Sequence, residues 1–314
     1  MAKTKVCLYP PRVFLVDKPK GMHSGDVLKH FKYHLPRGYG KIGHLGTLDP
    51  FAEGLLVIAI GQAARLSFLF EEFLTKTYRA RGVFHFKSTT GDSDGEITPF
   101  GKIEIPNSVE ANSRISSFIG NYWQAPPYYS AAKHEGKALY QYAREGVLID
   151  KEPVLRKIFG IRGFNYIDNN KKCDFEAEVS SGTYIRTLFE DIAEKLGTVG
   201  YLEGLRRTSI GDISLDRALN KASWPVRGGD FDIMKSSVCP SIFFQFQKLV
   251  ADKTLLVRVE NGQRIPVSEL GSGNWEEGKY VWIFSDEGML RGLAFISERV
   301  AAPKVIFPKI IQNN

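Results

Sequence analysis

The stretch GHLGTLDPFAEG, residues 43–54, sets a single acid, Asp49, between a glycine-rich approach and a proline. An aspartate ahead of a proline is a favoured helix start, with the carboxylate as cap and the proline opening the first turn. The turn available here is short, because Gly54 and an apolar run follow almost at once. Gly43 and Gly46 imply backbone that bends sharply or is approached closely. A phosphate cradle does not fit, since GxxxxGK[ST] is missing and an aspartate repels phosphate. A metal site fits poorly, because His44 and Asp49 have no ligand cluster near them in the sequence. A structural cap and a catalytic carboxylate both remain open on these residues alone.

Arg186 bears on that choice. It falls in the first turn of a helix read over 183–197, where the macrodipole disfavours a cation. It is either an exposed or paired surface arginine, or a buried guanidinium that pairs with Asp49 and keeps the acid ionised. Tyr78 is a core aromatic by strand alternation, or a platform under a base whose hydroxyl does acid–base work. His44 could be a turn residue bonded to backbone, and Lys20 a solvated cation. From Trp123 to Arg144, the residues Tyr128, Tyr129, Lys133, Lys137, Tyr140, Tyr142 and Arg144 surround a Pro-Pro break. That mixture suits base stacking and phosphate contact, or a solvated loop with anchoring aromatics. GDSDGE, residues 91–96, lacks the spacing and distal glutamate of a calcium loop and reads as a hairpin turn.

The elements that must position these groups follow from periodicity. VFLVDKPKG (13–21) reads as a strand ending in a turn, and HSGDVLKHFKYHL as a helix with Ser24 as a possible N-cap. LLVIAIG (55–61) is a continuous apolar run, as in a strand buried on both faces. TYRARGVFHF (77–86) alternates as a half-buried strand, and EITPFGKIEI pairs back after the turn. VEANSRISSFIG (109–120) predicts a helix stopped by Gly120, and CDFEAEVSSG (173–182) a strand. In the helix over 183–197, Ile185, Leu188, Phe189, Ile192 and Leu196 form the buried stripe. After Trp224, LLVRVENGQRIPV, KYVWIFSDEGMLRGLAFIS and RVAAPKVIF predict short strands with NG and DEG turns. Without a regular βαβ rhythm, the expected class is α+β, with a mixed, mostly antiparallel central sheet flanked by helices and loops.

Composition sets limits without choosing a function. The 314 residues, 43% hydrophobic and 25% charged, suit a well-packed chain, and the net charge of +7 is compatible with a nucleic-acid partner. Cys7, Cys173 and Cys239 are odd in number and far apart, so neither a disulfide framework nor a zinc cluster is expected, and a reducing cytoplasm fits. The N-terminus lacks the features of a signal peptide, and the longest apolar run, Leu55–Ile60, is too short for a membrane span.

Taken together, DKPKGMHS (17–24), KIGHLGTLDPFAEGLLVIAIGQAAR (41–65), KTYRA (76–80), PPYYSAAKHEGKALYQYAREG (126–146), SSGTYIRTL (180–188) and YLEGLRRTSIG (201–211) resemble the TruB-type tRNA pseudouridine synthases. The resemblance covers about residues 13–220 in the same order. It implies isomerisation of the T-loop uridine (position 55) of tRNA by base flipping, glycosidic bond cleavage, base rotation and C–C bond formation. On that resemblance Asp49 is the essential aspartate, Tyr78 the tyrosine packed on the base and Arg186 the partner of the aspartate. Tyr184 and Leu205 line the pocket, His44 contacts the rearranged T-loop, and Lys20 lies in the motif that supports the catalytic loop. The insertion at about 123–147, with Tyr129, Lys133 and Tyr140, grips the T-arm. A catalytic domain over 1–245 and a small β, PUA-like RNA-binding domain over 246–314 are implied, with no metal or organic cofactor. A cytoplasmic monomer with no membrane association and no obligatory protein partner is expected. Two other readings are an RNA-binding, tRNA-folding protein with secondary catalysis, and the catalytic subunit of a guide-RNA-dependent particle. The long insertion favours the stand-alone enzyme.

Overall fold

The computed structural model describes residues 8–101, 103–169 and 171–307; Cys7 and the first and last seven residues lie outside them. The apolar run at 55–60 forms the inner part of the strand Glu53–Ile60, with every one of those side chains fully buried. Leu55, Val57 and Ala59 point into one hydrophobic cluster and Leu56, Ile58 and Ile60 into another. Two opposed cores explain a strand with no polar alternation.

This strand belongs to a nine-stranded sheet. The order is Arg12–Lys18, Glu53–Ile60, Gly200–Ile210, Lys76–Phe84, Lys172–Val179, Val154–Ile167 and Gly120–Gln124; Ile42–His44 pairs with the second and Ile213–Ser214 with the third. Every pairing is antiparallel except that of Gly200–Ile210 with Glu53–Ile60, where Arg206 and Arg207 stand opposite Glu53 and Gly54. The expected mixed, mostly antiparallel sheet is therefore present. At its centre, Lys76–Phe84 alternates as its sequence requires. Tyr78, Ala80 and Phe84 are buried, while Arg79 and Arg81 face outward opposite Glu176 and Asp174 of the next strand. Such opposite-charge cross-strand pairs stabilise the exposed face modestly.

The helix Ile185–Lys195 lays its stripe on the inner face, with Ile185, Leu188, Phe189 and Ile192 all 3% exposed or less. Gly82 makes that approach possible, because a Cβ there would stand 2.0 Å from the Phe189 ring. GDSDGE is a turn, and Phe86–Ser88 pairs back with Ile97–Pro99 as expected. The insertion carries a short hairpin, Lys133–His134 with Lys137–Ala138, and the helix Leu139–Arg144.

Two local expectations are corrected. Ser24 does not cap its helix, Ser24–His34; its hydroxyl is turned away to residue 48. LLVRVE is not a strand but lies within the helix Lys253–Glu260, because the Asp252 carboxylate accepts a hydrogen bond from the Leu255 amide and caps it. The remaining C-terminal strands form a five-stranded sheet, ordered Gln247–Ala251, Tyr280–Ser285, Leu290–Ser297, Val300–Ile306 and Ile265–Pro266. Trp282, Leu290, Leu293 and Val305 of this sheet share a core cluster with Leu66, Leu69 and Phe70. The C-terminal sheet is thus packed on the helical segment that follows Glu53–Ile60 rather than merely tethered. Cys173 and Cys239 carry free thiols.

Candidate active site

The loop bearing Asp49 is fixed by its backbone carbonyls. Arg207, fully buried, donates from Nε to Leu55 O (2.7 Å) and from Nη1 to Thr47 O (3.1 Å). Lys18, also fully buried, donates from Nζ to Met22 O (2.6 Å) and Pro19 O (3.1 Å), with Pro50 O at 3.4 Å. Burial draws the Lys18 ammonium down to about 8, against the opposing pull of Asp49 and Glu53. Between these two cations, Ser24 Oγ accepts from Leu48 N (2.9 Å) and donates to Leu48 O (2.8 Å). Gly54 completes the grip. Its φ of +103° suits glycine, and a Cβ there would meet Arg207 O at 2.4 Å. Gly46 has φ +107°, whereas Gly43 sits in a strand with no such requirement.

With its loop held in this way, Asp49 caps no helix. Its Oδ2 instead accepts from Arg186 Nε at 2.9 Å. Arg186, 3% exposed in the first helical turn, spends the rest of its donor fork on Thr90 O (2.6 Å) and Tyr129 O (3.0 Å). A second acid, Asp92, approaches Arg186 Nε at 3.5 Å. Burial pushes the Asp92 carboxyl up, opposed by its hydrogen bond from Thr90 and by Arg186. A cation at a helix start is unfavourable in isolation; here two acids and two carbonyls compensate it. Behind them Glu190 is pushed up to about 7, first by burial. Arg186 faces away from solvent, so it acts on Asp49 from below.

Asp49 opens on a cavity of about 370 Å³ lined by Tyr78, Lys76, Leu48, Tyr184, Ile185 and Leu205, among others. The Asp49 side chain is 36% exposed, so the carboxylate is both held and reachable. The arrangement offers an anchored anion, an aromatic wall from Tyr78 and Tyr184, and an apolar wall from Leu205. That combination fits a flat polar ring attached to a centre that develops positive charge.

Of the residues expected from sequence, Asp49, Tyr78, Arg186, Tyr184 and Leu205 come together here. Tyr184 is fixed by Gln124, which accepts from Tyr184 N (2.8 Å) and donates to Tyr184 O (2.9 Å). Tyr129 reaches the site through its backbone carbonyl. His44 lines an adjoining cavity of about 250 Å³ that shares Gly46, Thr47, Glu71 and Lys76 with the first; burial draws its imidazole down. Lys133 and Tyr140 are exposed on the insertion and do not line the Asp49 cavity, and Arg144 stacks over the Tyr140 ring at 5.4 Å. Lys20 is also elsewhere. Its Nζ donates to Glu203 O (3.1 Å), and it lines the larger cavity beyond Leu205. The lysine of that motif that holds the loop is Lys18. Sequence reasoning missed Lys18, Ser24, Asp92 and Arg207; for Ser24 and Asp92, local patterns pointed to a cap and a turn. Among the described residues no three His, Cys, Asp or Glu side chains are grouped as metal ligands.

Comparison with known proteins bears directly on this geometry. Residues 32–185 match the family described as TruB family pseudouridylate synthase (N terminal domain). The tRNA pseudouridine synthase B of Burkholderia pseudomallei (strain 668) is 34% identical over 93% of this chain and 95% of its own length. That of Bordetella avium (strain 197N) is 41% identical over 66% of this chain and 84% of its own. In fold, the chain is similar to a solved H/ACA RNP bound to a substrate RNA containing 2'-deoxyuridine. The TM-score is 0.68 at 20% identity, over 95% of this chain and 86% of that one. The chain belongs to the TruB family of pseudouridine synthases.

Proposed function

We propose that this protein isomerises a uridine of tRNA to pseudouridine, that the target is the T-loop uridine at position 55, and that it works without guide RNA or partner proteins. One observation carries the reading: a reachable carboxylate, Asp49, is fixed over a buried guanidinium and faces an aromatic-walled cavity. The reaction breaks the bond between N1 of the base and C1′ of the sugar. The base then turns, C5 bonds to C1′, the C5 proton leaves and N1 gains one, so atoms balance without an external reactant. As the glycosidic bond breaks, positive character develops at the sugar, and Asp49 stabilises or captures it. The base must first leave its stacked position in the RNA, at a cost of a few kcal/mol; stacking on Tyr78 offsets part of this.

The insertion at 123–147, with Tyr129, Lys133 and Tyr140, would hold the T-arm, and His44 would meet the loop beside the flipped base. We place a domain boundary at 245/246, where Gln247–Ala251 opens the second sheet, and assign that sheet to further RNA contact. No helix among the described residues is long and apolar enough to cross a membrane. With tRNA as the substrate, we infer action in the cytoplasm, and we propose a monomer. Mapping pseudouridine in tRNA treated with the purified protein alone tests the proposal. Modification at position 55 is expected; modification only after adding guide RNA and partners would favour the particle reading, and binding without modification the RNA-folding reading.

A further inference from the structure

Lys76 is a lysine that a folded protein would ordinarily not keep. It is 8% exposed, and its only side-chain hydrogen bond among the described residues runs from Nζ to Ser181 Oγ at 2.8 Å. No carboxylate lies within ion-pair distance of it among the described residues, although Glu71 is close enough to favour its charge. Buried cations are normally paired, because taking an unpaired one out of water is costly. Arg156 stands on the same wall, with its guanidinium carbon 3.0 Å from where a Cβ on Gly182 would lie, and it too has no ion pair among the described residues. The arginines of the larger neighbouring cavity behave differently: Arg79, Arg81, Arg162 and Arg206 each have a carboxylate partner, while Lys20 on the same lining donates to the Glu203 carbonyl.

The position of Lys76 is as informative as its isolation. It lines both the Asp49 cavity and the His44 cavity, which meet at Gly46, Thr47, Glu71 and Lys76. A Cβ on Gly46 would stand in van der Waals contact with Nζ, at 3.4 Å, so the glycine keeps that side of the amine free of side-chain atoms. If a base enters the Asp49 cavity while the neighbouring part of its strand lies toward His44, the connecting backbone must cross this junction. We propose that Lys76, supported by Ser181 and Arg156, is a subsite for the backbone phosphate adjoining the target nucleotide. This rests on the reading of the Asp49 cavity as the uridine site. A phosphodiester would supply the missing counter-charge, and hydrogen bonds between an ammonium and a phosphate are among the stronger ones.

The titration behaviour agrees. Burial draws the Lys76 ammonium down to about 7, with Arg207 and Arg156 adding to the effect and Glu71 opposing it. Asp49 and Tyr78 face the same cavity, and His44 the adjoining one, where its imidazole titrates below the ordinary histidine range. An anion bound at Nζ restores the proton, so binding near neutral pH takes up a proton at Lys76.

The test uses T-stem-loop RNA hairpins, either all-phosphate or carrying one neutral methylphosphonate linkage on the 5′ or the 3′ side of the target uridine. Binding is measured with full-length protein in an Asp49→Asn background, which leaves the RNA unconverted, beside Lys76→Met and Lys76→Arg in the same background. One of the two neutral linkages is expected to weaken binding about tenfold in the Lys76 protein and to have no further effect with Lys76→Met. Affinity for the all-phosphate hairpin is expected to fall between pH 6.5 and 8.5 with Lys76, while Lys76→Arg, which keeps its charge, removes that dependence. Equal loss for all hairpins on Lys76→Met, or an unchanged pH profile in Lys76→Arg, would overturn the subsite. Failure of wild-type protein to modify the all-phosphate hairpin would instead count against the uridine reading, and the linkage comparison separates the two.

Discussion

Two cavities meet at Leu205, and they differ in how their charges are balanced. The larger, about 900 Å³, is lined by Arg79, Arg81, Arg162 and Arg206 together with Glu53, Asp174, Glu176 and Glu203. Its arginines are matched to carboxylates on neighbouring strands, as in Arg81 with Asp174 and Arg206 with Glu53. The smaller holds an acid with a buried counter-ion beneath it, and two cations, Lys76 and Arg156, that have no ion-pair partner among the described residues although Glu71 shares the lining. Size therefore does not mark the site. A surface that neutralises itself is a solvated sheet face, whereas one that leaves charge unmatched is built for something not yet bound.

The comparison can be broken by mutation, and the largest effect on the fold is expected from Arg186→Met. It strands Asp92 and Asp49 without their counter-charge and should lower unfolding free energy by about 3–5 kcal/mol, read by denaturant titration. An unchanged midpoint would mean the guanidinium is not the anchor of this region. Ser24→Ala leaves the Leu48 amide and carbonyl without their buried partner, and a loss of about 1–3 kcal/mol is expected in the same assay, with turnover falling as the Asp49 loop loosens.

Glu190 sharpens the contrast through pH. Its folded value, about 7, lies above its ordinary 4.5, so the folded state holds the extra proton between those limits. The stability it contributes is complete below about 4.5 and is lost as pH rises toward 7. Glu190→Gln should flatten the stability–pH curve in that window, and an unaltered slope would show that Glu190 titrates normally. The smallest effect belongs to the larger cavity. Arg79→Ala removes an exposed ion pair with Glu176, worth at most about 1 kcal/mol, and should leave turnover at the wild-type rate. A large loss of activity there would erase the distinction between the cavities.

Much of this contrast could be read from the residues. Arg186 at a helix start called for an anion, and Asp49, which its own residues left open as a cap or a catalytic carboxylate, could supply one. The alternation of the Lys76–Phe84 strand put Tyr78 inside, and the unbroken run at 55–60 implied burial on both faces. What escaped were contacts that depend on which way a polar group turns. Ser24 sits where a hydroxyl usually caps, yet it bonds across the chain to Leu48. Asp92 lies in a correctly read turn but points inward to Arg186, and no spacing in the sequence distinguishes an inward from an outward acid. Lys18 and Lys20 flank one proline in the same motif. The first holds the loop by its carbonyls, and the second lies beyond Leu205. In Lys253–Glu260, apolar β-branched residues suggested a strand, while the signal that prevailed was the Asp252 cap.

The most direct test of the central claim is tritium release from tRNA labelled at uridine C5, comparing wild-type protein with Asp49→Asn at matched tRNA binding. If Asp49 acts on the uridine, wild-type protein alone releases tritium, and Asp49→Asn binds the tRNA but releases it at least about 10⁴-fold more slowly, the scale for loss of an essential reacting group. Release by Asp49→Asn at the wild-type rate would contradict the account.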